Sequence, residues 1–270
     1  MQRPSALGPY QKQGIPMLDI IVCFKWVVDE AFIRRTSSGD LDFSSVDYKI
    51  SEYDRNAIEA AVRLREECGG SVTAVTVGPP EAAKGVKDAL SRGPDRAVFA
   101  EDPLFGGLDP SQTAAVLGQV ISSKTPFNLI ICGEGSGDVY SQQTGPRLAE
   151  FLGIPCAAYV QKLTVKEGRV TAERKVEGFI EVDSLPLPAL VTVLPDIATP
   201  RIPGVKDTLM ASKKAVIKVG KNELTAVPPP LLKTKSVRAA RVERECEKFT
   251  AEVEDIKRFV AALQKRGVLK

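Results

Sequence analysis

"FNLIICGEGSGDVYSQQTGPRLAEFLG", residues 127–153, contains one complete strand–loop–helix unit. Its apolar start at 127–132 predicts a strand buried on both faces, and residues 146–153 predict a helix that stops at a glycine. The loop between them holds three closely spaced glycines and several small polar side chains. Because glycine lets the backbone come close to a ligand, the loop predicts a cradle for the phosphates of a nucleotide. A glycine-rich turn without a ligand is the alternative.

The N-terminal part of the chain repeats this alternation of apolar runs and amphipathic segments. Ser51 and Asp54 have the spacing of a capping box at the start of the first helix. Connections are short, so we expect right-handed βαβ units and an α/β fold: a mostly parallel sheet covered by helices, Rossmann-like and of the adenine-nucleotide-binding type. Strands are predicted at 18–27, 71–78 and 96–100, and helices from Ser51 to Gly69, from Pro79 to Gly93 and at 111–124.

The pattern changes after residue 155. Alternating residues and Glu-Gly turns predict an antiparallel hairpin and a returning strand. Prolines 228–230 predict a stiff, extended linker. Beyond them an apolar stripe recurs at helical spacing, which a single helix cannot bury by itself. The stripe consists of Phe249, Val253, Ile256, Val260 and Leu263. The predicted organisation is an N-terminal extension (1–16), an α/β nucleotide-binding domain (17–227) and a C-terminal arm (228–270).

Composition excludes several classes of protein. Apolar residues at 43% and charged residues at 26% are typical of a globular chain with a sizeable core. The net charge of +3 is too small to indicate nucleic-acid binding. No apolar run has the length of a membrane span, and the first sixteen residues lack the apolar block of a secretory signal peptide. Five scattered cysteines without a C-x-x-C pair favour a reduced, cytoplasmic protein.

The chain contains no histidine. This absence removes Ser-His-Asp and Cys-His nucleophile pairs, histidine-ligated zinc and the commonest general base. We therefore expect neither catalytic side chains nor a metal site, and we expect any chemistry to come from a cofactor.

Ligands of parallel sheets collect at the carboxyl ends of the strands. Lys25 follows the first strand and is a candidate contact to the nucleotide. Thr144 is a candidate N-cap for the next helix, whose N-terminus would face the phosphates. Asp138 is discordant, because a carboxylate repels phosphate, and we expect it to point outward or to contact a ribose hydroxyl. Neutral hydrogen-bond donors are predicted at Ser141, Gln142 and Gln143.

Several segments together resemble the beta subunit of electron transfer flavoprotein. They include "DIIVCFKWVVDE", "ISEYDRNAIEAAVRLRE", "LIICGEGSGDVYSQQTGPRLAEFLGIP" and "LPLPALVTVLPDIATPRIPGVKDTLMASKK". The resemblance covers residues 17–217, and "CGEGSGD" and "ATPRIP" are similar to the Fix-type branch. It implies a heterodimer with an alpha subunit that holds most of a redox FAD, while this chain binds AMP or a second FAD. The implied nucleotide contacts are Cys23, Ser51, Tyr53, Asp54, Val77, Gly133, Gly135, Ser136, Gly137, Asp138, Ser141, Gln142, Gln143 and Thr144.

The resemblance also implies how electrons reach and leave the complex. Acyl-CoA-type flavoprotein dehydrogenases would dock on a loop at Pro195–Pro200, with Ile197 as the inserted apolar residue; from the residues alone, Ile197 could equally end the core of the strand. A quinone oxidoreductase as a further partner, and electron bifurcation with NADH, remain open. The segment "EDPLFGGLDPSQT" resembles part of a stretch found in electron-bifurcating members of the family. The matching residues are Asp102, Phe105, Gly107 and Asp109. The alternatives to an electron carrier are a nucleotide-hydrolysing or adenylating enzyme and a nucleotide-sensing module on the same fold.

Overall fold

The structure of the protein, a computed structural model, describes residues 17–38, 40–239 and 246–269. The predicted extension at 1–16 lies outside the described residues. The chain divides into two compact units. Described residues of 17–34 and 42–235 form the first unit, and those of 35–41 and 236–270 form the second.

The element order confirms the predicted alternation of strands and helices. The strands are β1 (Leu18–Cys23), β2 (Trp26–Val28), β3 (Arg34–Arg35), β4 (Leu41–Asp42), β5 (Tyr48–Ile50), β6 (Gly70–Gly78), β7 (Arg96–Glu101), β8 (Leu129–Gly133), β9 (Cys156–Lys166), β10 (Arg169–Val176), β11 (Phe179–Pro186), β12 (Ala189–Val193) and β13 (Val216–Val219). The helices are α1 (Glu52–Cys68), α2 (Ala83–Ser91), α3 (Pro110–Lys124), α4 (Thr144–Leu152), α5 (Val205–Ala211) and α6 (Val253–Lys265).

Within the described part of the chain, nine strands form the main sheet, in the order β11-β10-β9-β12-β8-β1-β6-β7-β13. The pairs from β9 through β12, β8, β1, β6 and β7 to β13 are parallel, whereas β9, β10 and β11 pair antiparallel. The predicted mostly parallel α/β sheet with an antiparallel hairpin is therefore confirmed. The edge strand β13 was not predicted, because its short run carries little periodicity of its own.

The core lies on both faces of this sheet. In β1, Ile20 and Val22 pack on the face covered by α1 and α2, while Ile21 packs on the face covered by α3 and α4. Successive side chains of a strand point to opposite faces, so a strand covered on both sides needs a continuous apolar run. All three side chains are buried, and each such burial contributes about 1.5–3 kcal/mol.

A reversal of the strand order beside β1 positions the crevice. From β1 the chain moves outward to β6 and β7, and then returns to β8 on the opposite side of β1. The two crossovers leave β1 and β8 in opposite directions, which opens a crevice at the carboxyl ends of these neighbouring strands. Cys23 and Gly133 end the two strands at this edge.

Two predicted helix starts differ in the structure. Ser51 is the N-cap of α1, but its side chain does not bond to its own helix, so the predicted capping box is wrong. Its hydroxyl instead accepts the N–H of Gly137 at 3.3 Å. Gln143, not Thr144, is the N-cap residue of α4, because the helix already includes Thr144.

The second unit contains α6, which includes four of the five residues of the predicted apolar stripe; the fifth, Phe249, lies outside the helix. None of the thirteen residues of this helix is buried, and Val253 and Ile256 are 66% and 49% exposed. Phe249 precedes the helix and packs edge-on against Phe259, with 5.3 Å between ring centroids. The role of α6 as part of an arm stays a prediction. None of the helices in the described ranges has the length and hydropathy that a membrane span requires.

The proline linker is attached to the first unit. Asp109 caps α3 through the N–H of Gln112 at 2.8 Å, and its second carboxylate oxygen accepts the N–H groups of Leu231 and Leu232. Burial opposes ionisation of Asp109, but these N–H groups outweigh it and lower its pKa. The predicted arm begins at residue 228, whereas residues up to 235 belong to the first unit.

Candidate nucleotide site

Three segments that are distant in sequence meet at the crevice between β1 and β8. Lys25, after β1, donates its backbone N–H to Asp54 Oδ2 at 2.8 Å and accepts the N–H of Ser51 at 3.0 Å. The hydrogen bond from Gly137 to the Ser51 hydroxyl joins the loop between β8 and α4, residues 134–143, to the start of α1. The structure thus brings together the end of β1, the first turn of α1 and the loop after β8, as the sequence predicts.

Asp54 joins the two strand ends. Its side chain is buried, and its carboxylate accepts the N–H groups of Lys25 and Gly133. Burial raises the pKa of Asp54 to about 7, although these two N–H groups act in the opposite direction. The carboxylate is therefore directed into the protein, and a contact from Asp54 to a nucleotide stays a prediction.

The three glycines of the loop have different surroundings. A Cβ on Gly133 would lie 2.6 Å from Asp54 Oδ1, and a Cβ on Gly135 would lie 2.6 Å from the ring of Tyr140. A Cβ on Gly137 would meet no atom within 4 Å. Packing inside the chain therefore requires the first two glycines whether or not a ligand binds, and only Gly137 borders open space.

Tyr140 and Glu134 stabilise the loop, and the sequence did not single out either. The Tyr140 hydroxyl donates to Glu134 Oε1 at 2.8 Å, and its ring lies against Tyr53 with centroids 5.1 Å apart. Burial and the buried Glu134 carboxylate raise the pKa of Tyr140 to about 12. Tyr140 and Gln142 have φ angles of 48° and 56°, an uncommon conformation for residues with side chains. No sequence pattern marks such a conformation.

Asp138 forms an ion pair with Lys25, which the sequence analysis did not expect. Lys25 Nζ lies 2.6 Å from Asp138 Oδ2. The carboxylate is therefore engaged by Lys25, whereas we expected it to point outward or to contact a ribose hydroxyl. Burial opposes ionisation of Asp138, but Lys25 outweighs it and lowers its pKa. The pairing offsets the repulsion between this carboxylate and an approaching phosphate.

The second half of the loop leads into α4. Gln143 Oε1 accepts two hydrogen bonds from Arg147, at 3.0 and 2.8 Å, and Arg147 also donates to Ser111. The first-turn N–H groups of α4, from Thr144 onward, have no acceptors within the helix. Ser136, Ser141 and Gln142 are half-buried around the same loop. Arg147 adds an exposed cation that the sequence analysis missed, because a single arginine on a helix is normally surface charge.

Cys23 and Val77 lie at the strand ends but not in the loop. Cys23 is buried, and its hydrogen bond with the Cys132 thiol is the main cause that raises the pKa of Cys132. Val77 is half-buried at the end of β6 and packs against the core on the α3 face. Their predicted contacts with a nucleotide stay predictions.

The predicted docking segment is held against the middle of α1. Asn56 Nδ2 donates to the carbonyls of Pro195 at 3.0 Å and Ala198 at 2.7 Å. Ile197 is half-buried and packs against the core, as the alternative interpretation of this residue expects, and Pro200 is also half-buried. A docking role for Ile197 and Pro200 stays a prediction.

Glu59, one turn further along α1, holds the end of the same segment. Its buried carboxylate lies 2.7 Å from Arg201 Nε and 2.7 Å from Arg63 Nε. Burial opposes ionisation of Glu59, but the two guanidinium groups outweigh it and lower its pKa. Sequence reasoning missed Asn56 and Glu59. The sequence feature that could have indicated them is a pair of polar residues three positions apart on the apolar face of a helix, because buried polar side chains need partners.

The fold and the crevice define a doubly wound α/β protein whose candidate ligand site lies at the strand ends. The family profile of the electron transfer flavoprotein domain matches residues 40–224, more than half of the chain. The chain belongs to the electron transfer flavoprotein family. Proteins of this family transport electrons, generally bind FAD and typically pair with an alpha subunit and with dehydrogenases. The matched range contains every strand of the main sheet except β1.

Proposed function

We propose that this chain is the beta subunit of a heterodimeric electron transfer flavoprotein, nearest to the Fix-type branch. The complex carries electrons between acyl-CoA-type flavoprotein dehydrogenases and a downstream acceptor. The observation that carries the proposal is the convergence of Lys25, the first turn of α1 and the Gly137 loop at the β1–β8 crevice of a family member.

The residues at the crevice fit an adenine nucleotide, either AMP or the ADP part of a second FAD. Gly137 borders open space where a side chain would stand, so a ligand has room beside this residue, although its N–H already donates to Ser51 Oγ at 3.3 Å. Lys25 is half-exposed despite its ion pair, and the start of α4 adds the positive end of a helix dipole. Hydroxyl groups of Ser136 and Ser141 suit the neutral parts of such a ligand.

The residues that link the chain to bifurcating relatives have internal roles in this structure. Phe105 is buried in the core, Asp102 accepts the N–H of Leu104, and Asp109 caps α3 and holds the proline linker. Gly107 has a φ of 85° and open space around it. Bifurcation with NADH and a second FAD therefore depends on room for a flavin ring beside Gly107, and AMP is the alternative occupant.

A bound FAD accepts and passes on electrons. In the proposed complex the alpha subunit holds most of the redox FAD. The apolar face of α6 fits an arm that covers the alpha subunit, because Val253, Phe259 and Val260 are all exposed on it. A quinone oxidoreductase is a further candidate acceptor.

Co-expression with an alpha subunit of the family tests the proposal. We expect a stoichiometric yellow heterodimer, and chromatography after acid extraction should yield either one FAD with one AMP or two FAD. A complex without flavin, or with one FAD and no adenine nucleotide in this chain, would contradict the proposal.

A paired substitution tests the position of the phosphate. Gly137→Val places a branched side chain in open space and should lower the nucleotide content by more than half with an unchanged melting temperature. Gly220→Val is the control, since a Cβ there meets only Asn222 Oδ1 at 3.9 Å and β13 is remote from the crevice. Full nucleotide content in both variants would place the phosphate elsewhere.

A further inference from the structure

The ion pair between Lys25 and Asp138 connects the end of β1 to the loop after β8, across the mouth of the crevice. The ammonium nitrogen lies 2.6 Å from the carboxylate, and the two side chains are 47% and 30% exposed. Gly137, the residue before Asp138, borders open space, so a ligand beside it comes close to both charges. The ion pair therefore lies where the crevice would receive a phosphate, which Lys25 attracts and Asp138 repels.

Both residues are held by contacts that do not depend on their ion pair. The backbone N–H of Lys25 donates to the buried Asp54, whereas its ammonium group is half-exposed at the end of a flexible four-carbon stem. Asp138 Oδ1 accepts the N–H of Val139 at 2.8 Å, and the Ser136 hydroxyl also bonds to the carboxylate. Asp138 thus keeps hydrogen-bond partners when Lys25 moves away. An ion pair with this exposure contributes little to stability, so opening it costs little.

A nucleotide phosphate competes with Asp138 for the ammonium group of Lys25. At neutral pH a phosphate monoester carries about two negative charges, whereas a carboxylate carries one. Coulomb attraction is proportional to charge, so at equal distance the phosphate is the stronger partner of Lys25. The adenosine part of the ligand helps, because it keeps the phosphate in the crevice at a high effective concentration.

We propose that Lys25 exchanges Asp138 for the phosphate when a nucleotide binds, and that Asp138 thereby determines how strongly the site prefers a phosphorylated nucleoside. Asp138 is a competitor for Lys25 inside the chain, and its carboxylate lowers the affinity for the phosphate. That the ligand is an adenine nucleotide rests on the proposed function.

Arg147 provides a control, because it is another cation beside the same loop. Its described hydrogen bonds go to the neutral side chains of Gln143 and Ser111, so they include no competing carboxylate. If the exchange occurs, the effect of Asp138 on phosphate binding depends on Lys25 and not on Arg147.

The first experiment measures the affinity of the full heterodimer for AMP and for adenosine by calorimetry, after dialysis against charcoal has removed its own nucleotide. We expect Asp138→Asn to bind AMP about fivefold more tightly and Lys25→Gln to bind it about tenfold more weakly. Both variants should bind adenosine like the wild type. Adding Asp138→Asn to Lys25→Gln should have no effect, whereas adding it to Arg147→Gln should still raise the AMP affinity about fivefold.

Three results would overturn the inference. An unchanged AMP affinity in Asp138→Asn would mean that Lys25 does not exchange partners. Weaker binding of both AMP and adenosine by this variant would mean that Asp138 contacts the ribose instead. These two results leave the proposed function standing, whereas a wild-type heterodimer that binds neither AMP nor adenosine would overturn the inference and the proposed function together.

The second experiment needs no variant. A crystal structure of the heterodimer with AMP should show Lys25 Nζ within about 3.2 Å of a phosphate oxygen and beyond hydrogen-bond distance of Asp138. The same crystals with adenosine should keep the Lys25–Asp138 ion pair. A Lys25 that stays paired with Asp138 in the AMP complex would overturn the exchange, whatever the affinities are.

Discussion

Two segments lie against α1 and are held there by different interactions. The loop after β8 contacts the first turn of α1 through backbone N–H groups, Ser51 and Asp54. The segment from Pro195 to Arg201 contacts the middle of α1 through Asn56 and the ion pairs of Glu59. The first arrangement leaves an open glycine, Gly137, beside the crevice, whereas the second uses its carbonyls and charges internally.

This difference fits the two roles proposed for the segments. A site that receives phosphates needs room beside the backbone of a positioned loop, which Gly137 provides. A surface that docks a partner is better presented on a rigid support, because ordering a mobile segment on binding costs free energy. One helix thus supports both, with its first turn at the crevice and its middle at the docking segment.

The largest expected effect is on the docking side of α1. Glu59→Ala removes a buried carboxylate that accepts hydrogen bonds from Arg63 Nε and from both Nε and the backbone N–H of Arg201. At about 1.5 kcal/mol for each hydrogen bond to a charged group, the low end because both guanidinium groups are partly exposed, we expect a loss of about 3–5 kcal/mol in the free energy of unfolding. Glu66→Ala is the matched control, since it removes an exposed partner of the same arginine and should cost less than about 1 kcal/mol. Urea denaturation measures both, and similar losses would show that burial of Glu59 is energetically unimportant.

The next effect, on the crevice side, depends on pH. The pKa of Asp54 is about 7 in the folded chain and 3.8 without the fold, so between these values only the unfolded state loses the proton. The stability contributed by protonated Asp54 is complete below about pH 4, declines as pH rises, and is lost above about pH 7. At about 1.4 kcal/mol for each pKa unit, the whole change is at most about 4 kcal/mol.

Asp54→Asn isolates this contribution, because its side chain does not titrate. We expect urea denaturation to show the wild type becoming less stable relative to the variant from pH 4 to pH 8. A stability difference that is constant across this range would mean that Asp54 is ionised in the folded chain at both ends of it.

The smallest effect distinguishes two glycines of one loop. Gly133→Ala places a Cβ 2.6 Å from Asp54 Oδ1 and should cost about 1–3 kcal/mol by displacing the start of α1. Gly137→Ala meets no neighbour and should change stability by less than about 0.5 kcal/mol. Thermal unfolding of the two variants measures the difference. Equal melting temperatures would contradict the prediction that packing requires a glycine at residue 133 but not at residue 137.

Much of the candidate site was predictable because its residues follow apolar strands. Lys25, Ser51 and Gly137 were singled out at strand ends or helix starts, and the structure brings them together. The partners that stabilise the loop were not predictable in the same way. Glu134 and Tyr140 depend on a left-handed backbone conformation that no local pattern specifies.

The α/β class follows from the sequence, since continuous apolar runs such as "LDIIVC" must be covered on both faces and alternate with amphipathic helices. Glu-Gly turns likewise determined the antiparallel hairpin. Which strands are neighbours, and therefore that β1 and β8 form the crevice, becomes clear only from the sheet order of the folded chain. The pairing of Lys25 with Asp138 likewise follows from the fold, because it joins residues far apart in the chain. The periodicity of apolar residues indicates which face of a helix or strand is buried, but it does not indicate which element packs against that face.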